Sequence, residues 1–352
     1  MDPVLLLSAL LLLAFGLLGV GAAEPGLLAD HLLRVALALL ALLLGVLIPP
    51  RFYLRQGRLL LLGTFALLLL VLVLGGGPGG VRRWFYLGPV AFQPSELAKV
   101  ALVFYLASFV GRKGNDYPIV GAAVLAAGVA GLVLVEPDFA TALFLLTLSG
   151  LLFVFAGVPW RRLITVTLAG FLAFAPFSGY YFARFRYVSE RFTNFLDYLQ
   201  GEASPAHTAY QVTQAQKALV LAGPLGQGPG GTLPHLPEAH NDMVFASVVF
   251  ATGWLGGLVV LFLYFLIFAR GLALALRLKG PESLVALGLT LYLTLQAALN
   301  IGVTVGFLPV TGVPLPLVSY GGSSLLVSGL AVGVLLRLAR EAQGKEVAGW
   351  SS

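Results

Sequence analysis

Long apolar stretches recur along the whole chain, separated by short clusters of proline, glycine and charged residues. A bilayer crossing needs about 20 mostly apolar residues in a helix, because lipid offers backbone N–H and C=O groups no other partner. The pattern predicts ten such helices, at 3–23, 32–48, 59–74, 94–110, 118–135, 139–158, 163–180, 243–268, 283–305 and 323–338. We therefore expect an all-α polytopic membrane protein with ten transmembrane helices.

Composition supports this class. The 352 residues are 59% hydrophobic and only 10% charged, whereas soluble domains carry about 25% charged residues. The absence of cysteine excludes disulfides and thiolate sites, and four scattered histidines argue against a His-rich metal centre. Membrane topology explains the net charge of +6 better than nucleic-acid binding does, so we expect no nucleic-acid partner.

Basic residues predict the orientation. Ten spans place both termini on one side, and the positive-inside rule identifies that side. With cytoplasmic termini, 13 basic residues lie inside, and only Arg34, Arg82 and Arg83 lie in short outer segments. The inner residues are Arg51, Arg55, Arg58, Arg112, Lys113, Arg161, Arg162, Arg270, Arg277, Lys279, Arg337, Arg340 and Lys345. We expect one membrane domain over 1–340, a long extracytoplasmic loop at 181–242 between helices 7 and 8, and a short cytoplasmic tail at 341–352.

The long loop concentrates polar chemistry. It holds nine of the 36 charges and three of the four histidines. Arg184, Arg186, Arg191 and Lys217 suit phosphate oxygens, and a nearby carboxylate can act as a general base. The alternative is that these charges are solvated and pair with one another.

Asp242 stands where the next apolar stretch begins. There a carboxylate can cap the helix, or it can act as a base at the membrane–water boundary. Glu96 and Lys99 share one helix face inside an early span. Because ionisable residues in a span are costly, they form either an ion pair lining a polar cavity or a substrate contact.

Two further segments carry local signals. The turn Glu136-Pro137-Asp138 is explained by Asp138 capping the following helix. The uncharged segment 307–324 contains three prolines and cannot be a regular span. Irregular backbone at membrane depth needs protein or a wet cavity around it, so we interpret it as a re-entrant or outer loop that shapes a groove.

Several motifs occur in an order that resembles a known family. They are Trp84 with Gly88, the run Phe92-Gln93-Pro94-Ser95-Glu96 with Lys99, the run 136–142, Tyr210-Gln211, 223–228, 236–242, 300–302 and 319–324. Together they resemble the SEDS proteins (shape, elongation, division and sporulation), the group that contains RodA, FtsW and SpoVE. The resemblance covers most of the chain. Length and compact tails favour the elongation (RodA) branch over the division (FtsW) branch.

The resemblance implies a peptidoglycan glycosyltransferase that polymerises lipid II outside the cytoplasmic membrane during cell-wall elongation and cell-shape maintenance. Its donor would be a glycan on polyprenyl pyrophosphate, and its partners a class B penicillin-binding protein and other membrane proteins of elongation. Asp242 matches the family's essential acidic residue. In the motif around Asp242, Asn241 stands where the family usually has Thr. Further along the chain, Thr252-Gly253 stands where relatives usually have an acidic pair.

The motifs also sort the remaining candidates. Substrate contacts are expected from the four basic residues of the loop and from Glu238, His240, Ser319 and Ser323. Cavity or structural roles are expected for Trp84, Gln93, Glu96, Lys99, Asp138 and Asn300. No cofactor is required by the pattern, and a divalent cation such as Mg²⁺ or Mn²⁺ is left open as an aid to the basic residues.

Two other functions stay open from the residues. A ten-span protein with a polar cavity could flip lipid II, although a flippase needs polar lining along its full depth and only Glu96 and Lys99 supply charge there. A non-catalytic scaffold for a penicillin-binding protein would bind its partner without needing Asp242.

Overall fold

The fold is a helical bundle with one short hairpin, seen in a computed structural model that describes residues 2–77, 80–88, 90–113, 119–200 and 207–350. The helices are α1 (Pro3–Ala23), α2 (Leu28–Leu47), α3 (Pro50–Leu74), α4 (Pro94–Lys113), α5 (Val120–Val135), α6 (Phe139–Phe155), α7 (Trp160–Arg184), α8 (Arg186–Leu199), α9 (His207–Ala222), α10 (Val244–Arg277), α11 (Pro281–Thr304) and α12 (Gly322–Trp350). Strands β1 (Phe85–Leu87) and β2 (Val90–Phe92) pair antiparallel, with Phe85 opposite Phe92.

Each predicted span coincides with an apolar helix. In the described part of the chain, eight helices are long and apolar enough to cross a membrane, and α5 and α6 are shorter apolar helices of 16 and 17 residues. The predicted ends were wrong where basic residues flank the apolar core. Helix α3 begins at Pro50 instead of 59, and α10 continues to Arg277 instead of 268. Long basic side chains can reach water from a helix that extends past the hydrocarbon, so charge does not end the helix.

The polar segment between α7 and α10 contains two helices that the apolar pattern did not predict. Helix α7 continues to Arg184, and α8 follows after Phe185. Helix α9 then packs along the first part of α10. This segment is therefore largely folded, with α8 and α9 covering the end of the bundle near Asp242.

Close helix contacts rely on glycine. Helix α12 lies against α2, where a Cβ on Gly333 would come within 2.1 Å of the Leu42 carbonyl oxygen. Small residues let backbones approach in lipid, where apolar side chains gain little by leaving the hydrocarbon. Helices α1 and α10 pack together as well, with Gly19 against Val248 at one end and Asp2 in an ion pair with Arg270 at the other.

Helix α10 is broken at Gly253, whose φ of 78° and ψ of 178° are not helical. Only glycine adopts this conformation readily. The broken turn is bonded to the segment 223–228, since Gln227 N–H donates to Phe250 O (2.8 Å) and Trp254 N–H donates to Gly223 O (2.9 Å). Gly253 thus has a structural role, because its conformation lets the broken turn bond to this segment.

The segment between α11 and α12 turns into the bundle. The hydroxyl of Tyr264 donates to the Pro316 carbonyl, and Gln296 Nε2 donates to the Pro314 carbonyl at 3.0 Å. Gln296 lies eight residues before α11 ends at Thr304, which places the contact ~12 Å below that end at 1.5 Å per residue. These contacts inside the bundle favour the re-entrant arrangement of the two, which stays a prediction.

Candidate active site

The segment that carries Asp242 is held by its backbone. Glu238 adopts a φ of 54°, and its carbonyl accepts hydrogen bonds from the N–H groups of Asn241 and Met243, both at 3.0 Å. Asn300 Nδ2 donates to the Asp242 carbonyl at 2.8 Å. The N-cap of α10 is Met243, not Asp242. The helix-capping explanation of Asp242 is therefore wrong, and its carboxylate is available for another role.

The Asp242 side chain is half-buried and faces Arg191 across Gly312. The point that a Cβ on Gly312 would occupy lies 3.4 Å from Asp242 Oδ2 and 3.9 Å from each terminal nitrogen of Arg191. Arg191 Nη1 also donates to the Thr311 carbonyl at 3.2 Å. The Asp242 carboxylate and the Arg191 guanidinium thus meet above Gly312, which has no side chain to fill the space. They come from the start of α10 and from α8, and Gly312 comes from the re-entrant segment before α12.

Two further acidic residues, Glu136 and Asp138, lie in the turn between α5 and α6. Asp138 accepts a hydrogen bond from Thr141 N–H at 3.1 Å, which confirms the predicted cap of α6. Arg83, which precedes β1, donates from Nε to the Glu136 carbonyl at 2.6 Å and from Nη2 to the Pro137 carbonyl. Arg83 therefore fixes the turn, and both Arg83 and Asp138 lie close enough to influence the charge of Asp242.

Glu136 is fully buried. Neither of its carboxylate oxygens has a hydrogen-bond partner among the described residues. The pKa of this carboxyl is raised to about 9, mainly by burial and further by the charge of Asp138, while Arg83 opposes the rise. Because the carboxyl is buried and no donor among the described residues reaches it, the neutral acid is the favoured form at neutral pH.

The surroundings of Asp242 raise the pKa of its carboxyl from an ordinary 3.8 to about 7. The largest cause is desolvation by the packing around the group, followed by repulsion from Glu238. Arg191 and Arg83 oppose the shift, and Asp138 adds to it. A carboxyl poised near neutrality in a cluster of charges is typical of a general base.

The structure separates the basic residues predicted to bind phosphate. Arg191 lies at the site, whereas Arg184 and Arg186 are exposed at the junction of α7 and α8. Lys217 is exposed on α9. A phosphate role stays a prediction for all four, and geometry favours Arg191 because it faces Asp242.

His240 contacts a different set of residues from those around Asp242. Its Nδ1 lies 3.5 Å from Glu24 Oε2, and its ring meets the Tyr320 ring edge-on at 5.4 Å. The guanidinium group of Arg34 stacks on the same Tyr320 ring, with its carbon 3.6 Å from the ring centre. His240 thus belongs to a neighbouring polar cluster, and Glu238, which is exposed, acts on Asp242 through charge.

Two serines predicted to contact substrate are engaged with the backbone. Ser319 Oγ accepts from Leu315 N–H and donates to the Asn241 carbonyl, both at 2.7 Å. Ser323 Oγ accepts from Gln93 N–H at 2.7 Å and donates to the Ala91 carbonyl at 3.0 Å. These bonds tie the re-entrant segment to the Asp242 segment and α12 to the hairpin; substrate contact by either serine stays a prediction.

The residues predicted to have structural roles fit those roles. Asn300 also donates to the Val313 carbonyl at 2.9 Å, so it links Asp242 to the re-entrant segment. Trp84 packs on Gly77, where a Cβ would lie 2.6 Å from its ring. Lys99 Nζ lies 2.7 Å from Glu96 Oε1 and 2.8 Å from Gln296 Oε1, and both charged side chains are almost completely buried. The predicted ion pair is confirmed.

Sequence reasoning missed Arg83, Glu136 and Gly312 as parts of the site. Glu136 was noted in the Glu-Pro-Asp turn, but a role was predicted only for Asp138, and no local pattern linked Arg83 to this turn 53 positions away. Among the described residues no group of three or more His, Cys, Asp or Glu side chains could hold a metal ion.

Comparison with known proteins gives a consistent picture. A family model for FtsW, RodA and SpoVE, described as "Cell cycle protein", matches residues 5–344. A protein of Halorhodospira halophila named "Probable peptidoglycan glycosyltransferase FtsW" is 39% identical over 324 residues, which cover 88% of this chain and 78% of the relative. "Peptidoglycan glycosyltransferase MrdB" of Escherichia coli K12 is 35% identical over 350 residues, covering 96% and 93%.

Solved structures share the fold. The rod shape determining protein RodA of Thermus thermophilus matches with a TM-score of 0.70 and 29% identity over 96% of both chains. A chain from a peptidoglycan synthase complex matches with a TM-score of 0.78 and 31% identity, covering 96% of this chain and 97% of the other. The resemblance predicted from the motifs is confirmed, and the chain belongs to the FtsW/RodA/SpoVE family.

Proposed function

We propose that the chain is a peptidoglycan glycosyltransferase that polymerises lipid II, with Asp242 as its general base. The observation that carries the proposal is the half-buried Asp242 carboxyl facing Arg191 across Gly312. The names of its relatives support the enzyme class expected from the motifs. The helix cap, which was the competing role for Asp242, is excluded because Met243 occupies that position.

In the proposed reaction the acceptor is the sugar hydroxyl of one lipid II molecule, and the donor is the glycan on polyprenyl pyrophosphate. The acceptor oxygen attacks the anomeric carbon, the bond to pyrophosphate oxygen breaks, and the electron pair leaves with the pyrophosphate. Asp242 takes the hydroxyl proton, so one base is enough for a single inverting displacement. A pKa near 7 makes this carboxylate a stronger base than an ordinary aspartate, and general-base help of this kind is worth roughly 10²–10⁴-fold.

The pyrophosphate needs charge neutralisation more than a proton. Arg191 is the best-placed cation, because its guanidinium shares the space above Gly312 with Asp242. A planar guanidinium binds phosphate oxygens through paired hydrogen bonds. Lys217, Arg184 and Arg186 lie on exposed surfaces of the same polar segment and are assigned to earlier contacts with the lipid-linked substrate.

We assign ten membrane crossings to α1–α7 and α10–α12. Helices α5 and α6, at 16 and 17 residues, cross a bilayer of ~30 Å hydrocarbon with their flanking turns. The excess of basic residues at the opposite end supports an orientation with Asp242 outside the cytoplasmic membrane and both termini inside. On that side no nucleotide sugar is available, which fits a lipid-linked donor.

We assign the chain to cell-wall elongation together with a class B penicillin-binding protein. The match to a rod shape determining protein over 96% of both chains supports the first part, and the likeness to a chain of a peptidoglycan synthase complex supports the second. The flippase alternative is weaker, since the charged pair inside the bundle is neutralised and almost completely buried.

The test is polymerisation of purified lipid II by wild type and Asp242→Asn, with Asp197→Asn on α8 as the matched control. Asp242→Asn keeps the shape and removes the base, so we expect at least a hundredfold loss of glycan product, while Asp197→Asn stays within about twofold. Running the assay with and without Mg²⁺ or Mn²⁺ and partner separates their effects. Near-normal polymerisation by Asp242→Asn would refute the assignment, and lipid scrambling without glycan would favour transport.

A further inference from the structure

The second half of the polar segment is not polar. Between Lys217 and Glu238 the chain carries no Asp, Glu, Lys or Arg. The described side chains at the end of α9 are apolar and exposed, with Val220 at 73%, Leu221 at 56% and Leu225 at 77% of full exposure. Trp254, beside them on α10, is 52% exposed. A water-facing loop has no reason to expose such a contiguous apolar surface.

The length of helix α1 allows the depth of this surface below the membrane boundary to be estimated. It runs 21 residues between two polar ends, Asp2 and the exposed Glu24. This length is ~31 Å at 1.5 Å per residue, which matches the hydrocarbon thickness of a bilayer. Helix α1 therefore spans the apolar layer from one boundary to the other.

The break in α10 lies well below the membrane boundary at the Asp242 end of α1. A Cβ on Gly256 would lie 3.5 Å from the ring of Phe15, and Phe15 is eight residues before Ala23, where α1 ends. Eight helical residues correspond to ~12 Å. Gly253 is three residues (~4.5 Å) nearer the Asp242 end than Gly256, so the broken turn lies roughly 8 Å below the boundary at that end of the bundle, within the hydrocarbon layer.

The segment 223–228 is fixed at that depth by four backbone hydrogen bonds. Two run from this segment to α10, Gln227 N–H to Phe250 O at 2.8 Å and Gly228 N–H to Ala251 O at 3.1 Å. The other two run back, Trp254 N–H to Gly223 O at 2.9 Å and Leu255 N–H to Pro224 O at 3.3 Å. Irregular backbone inside a membrane needs this kind of partner, because lipid offers none.

We propose that the C-terminal half of α9 and the segment 223–228 form a re-entrant hairpin that enters the membrane at the Asp242 end and contacts lipid acyl chains through Val220, Leu221, Leu225 and Trp254. Under the proposed orientation, which this inference uses only to name the leaflet, these are outer-leaflet lipids. The bilayer is the occupant because the surface has no charge and lies at acyl-chain depth. The sequence predicted that all of 181–242 is extracytoplasmic; under this proposal the end of α9 and the segment 223–228 lie in the membrane instead.

The hairpin has a consequence for Lys217. This residue lies five residues before the end of α9 at Ala222, ~8 Å higher at 1.5 Å per residue. Its exposed ammonium then reaches the headgroup boundary, where long basic side chains extend toward water. A phosphate of a lipid-linked substrate lies at the same level.

The experiment is site-directed spin labelling in nanodiscs, made simple because the chain contains no cysteine. Labels go at Leu225→Cys, at Leu11→Cys on the lipid-facing side of α1, and at the exposed Glu190→Cys on α8. Collisions with oxygen report lipid, and collisions with a water-soluble nickel chelate report solvent. We expect the label at 225 to behave like the one at 11, with a ratio of oxygen to nickel collisions several-fold above that at 190.

Nickel accessibility at 225 equal to that at 190 would overturn the proposal. Val220→Cys is a second reporter on the same surface, so that a poorly folding variant does not prevent the test. The readout needs neither catalysis nor a defined orientation. A failed hairpin and a failed glycosyltransferase assignment therefore give separate results.

Discussion

The acid limb of the pH–rate profile is the sharpest test of Asp242, because a general base works only in its ionised form. Packing raises the pKa of this carboxyl from 3.8 to about 7. The ionised fraction is then roughly one tenth at pH 6, one half at pH 7 and nine tenths at pH 8. We expect kcat/KM, which reports the free enzyme, to rise about tenfold between pH 6 and pH 8. An aspartate with its ordinary pKa would give a flat profile over that range.

Two substitutions should move this limb in opposite directions. Glu238 raises the pKa of Asp242 and Arg191 lowers it. Glu238→Gln should therefore shift the limb to lower pH, and Arg191→Gln should shift it to higher pH, whatever either change does to the maximal rate. Glu238 affects this pKa more than Arg191 does, although its side chain is exposed and its charge is therefore screened by solvent and salt.

The assay is the initial rate of glycan formation from a labelled lipid II at low substrate concentration, in buffers of constant ionic strength across the neutral range. Asp197→Asn serves as the control and should leave the limb in place. A flat profile, a limb near pH 4, or shifts of the same sign in Glu238→Gln and Arg191→Gln would refute the reasoning from burial and charge.

Three further predictions concern stability, each measured as the melting temperature of purified protein. Since the pKa of Glu136 is raised from 4.5 to about 9, the folded state keeps a proton that the unfolded state loses, so stability falls as pH rises through that window by up to ~1.4 kcal/mol per pH unit. Glu136→Gln should flatten this dependence, and an unchanged slope would contradict it. Lys99→Met leaves Glu96 charged and buried, which costs about 3–5 kcal/mol; adding Glu96→Gln should recover much of the loss, and a double variant as unstable as the single one would count against a paired role. Gly253→Ala forces a Cβ to 2.2 Å from a carbonyl at a φ of 78° and should destabilise by more than about 1 kcal/mol, whereas Gly150→Ala, with nothing within 4 Å, should not.

Local features were predictable because they depend on residues close in sequence. The apolar runs predicted where helices lie, since a bilayer demands continuous hydrophobicity over about 20 residues. The spacing of Glu96 and Lys99 predicted their contact, because positions three apart share a helix face. Asp138 was predicted to cap α6 from the turn that precedes it, and it does.

The helix ends and the polar segment were harder. The charged residues at the start of α3 and the end of α10 suggested that the helices end there. Both helices continue past these residues, because basic side chains can extend to water. Helix α9 and the segment 223–228 looked like part of a solvated loop, since neighbouring charges at Lys217 and Glu238 hid an uncharged stretch. Their depth depends on bonds to the broken turn at Gly253.

From its own residues the chain specifies a polytopic helical membrane protein, the buried ion pair and the motifs that identify its family, because apolar length and helical spacing act over short distances. The environment of Asp242 could not be obtained in this way. Arg191 reaches a carbonyl 120 positions away at Thr311, and Arg83 reaches one 53 positions away at Glu136. Desolvation and charge at Asp242 are sums over these distant neighbours. The same aspartate would be an ordinary acid without the packing of several helix ends around it.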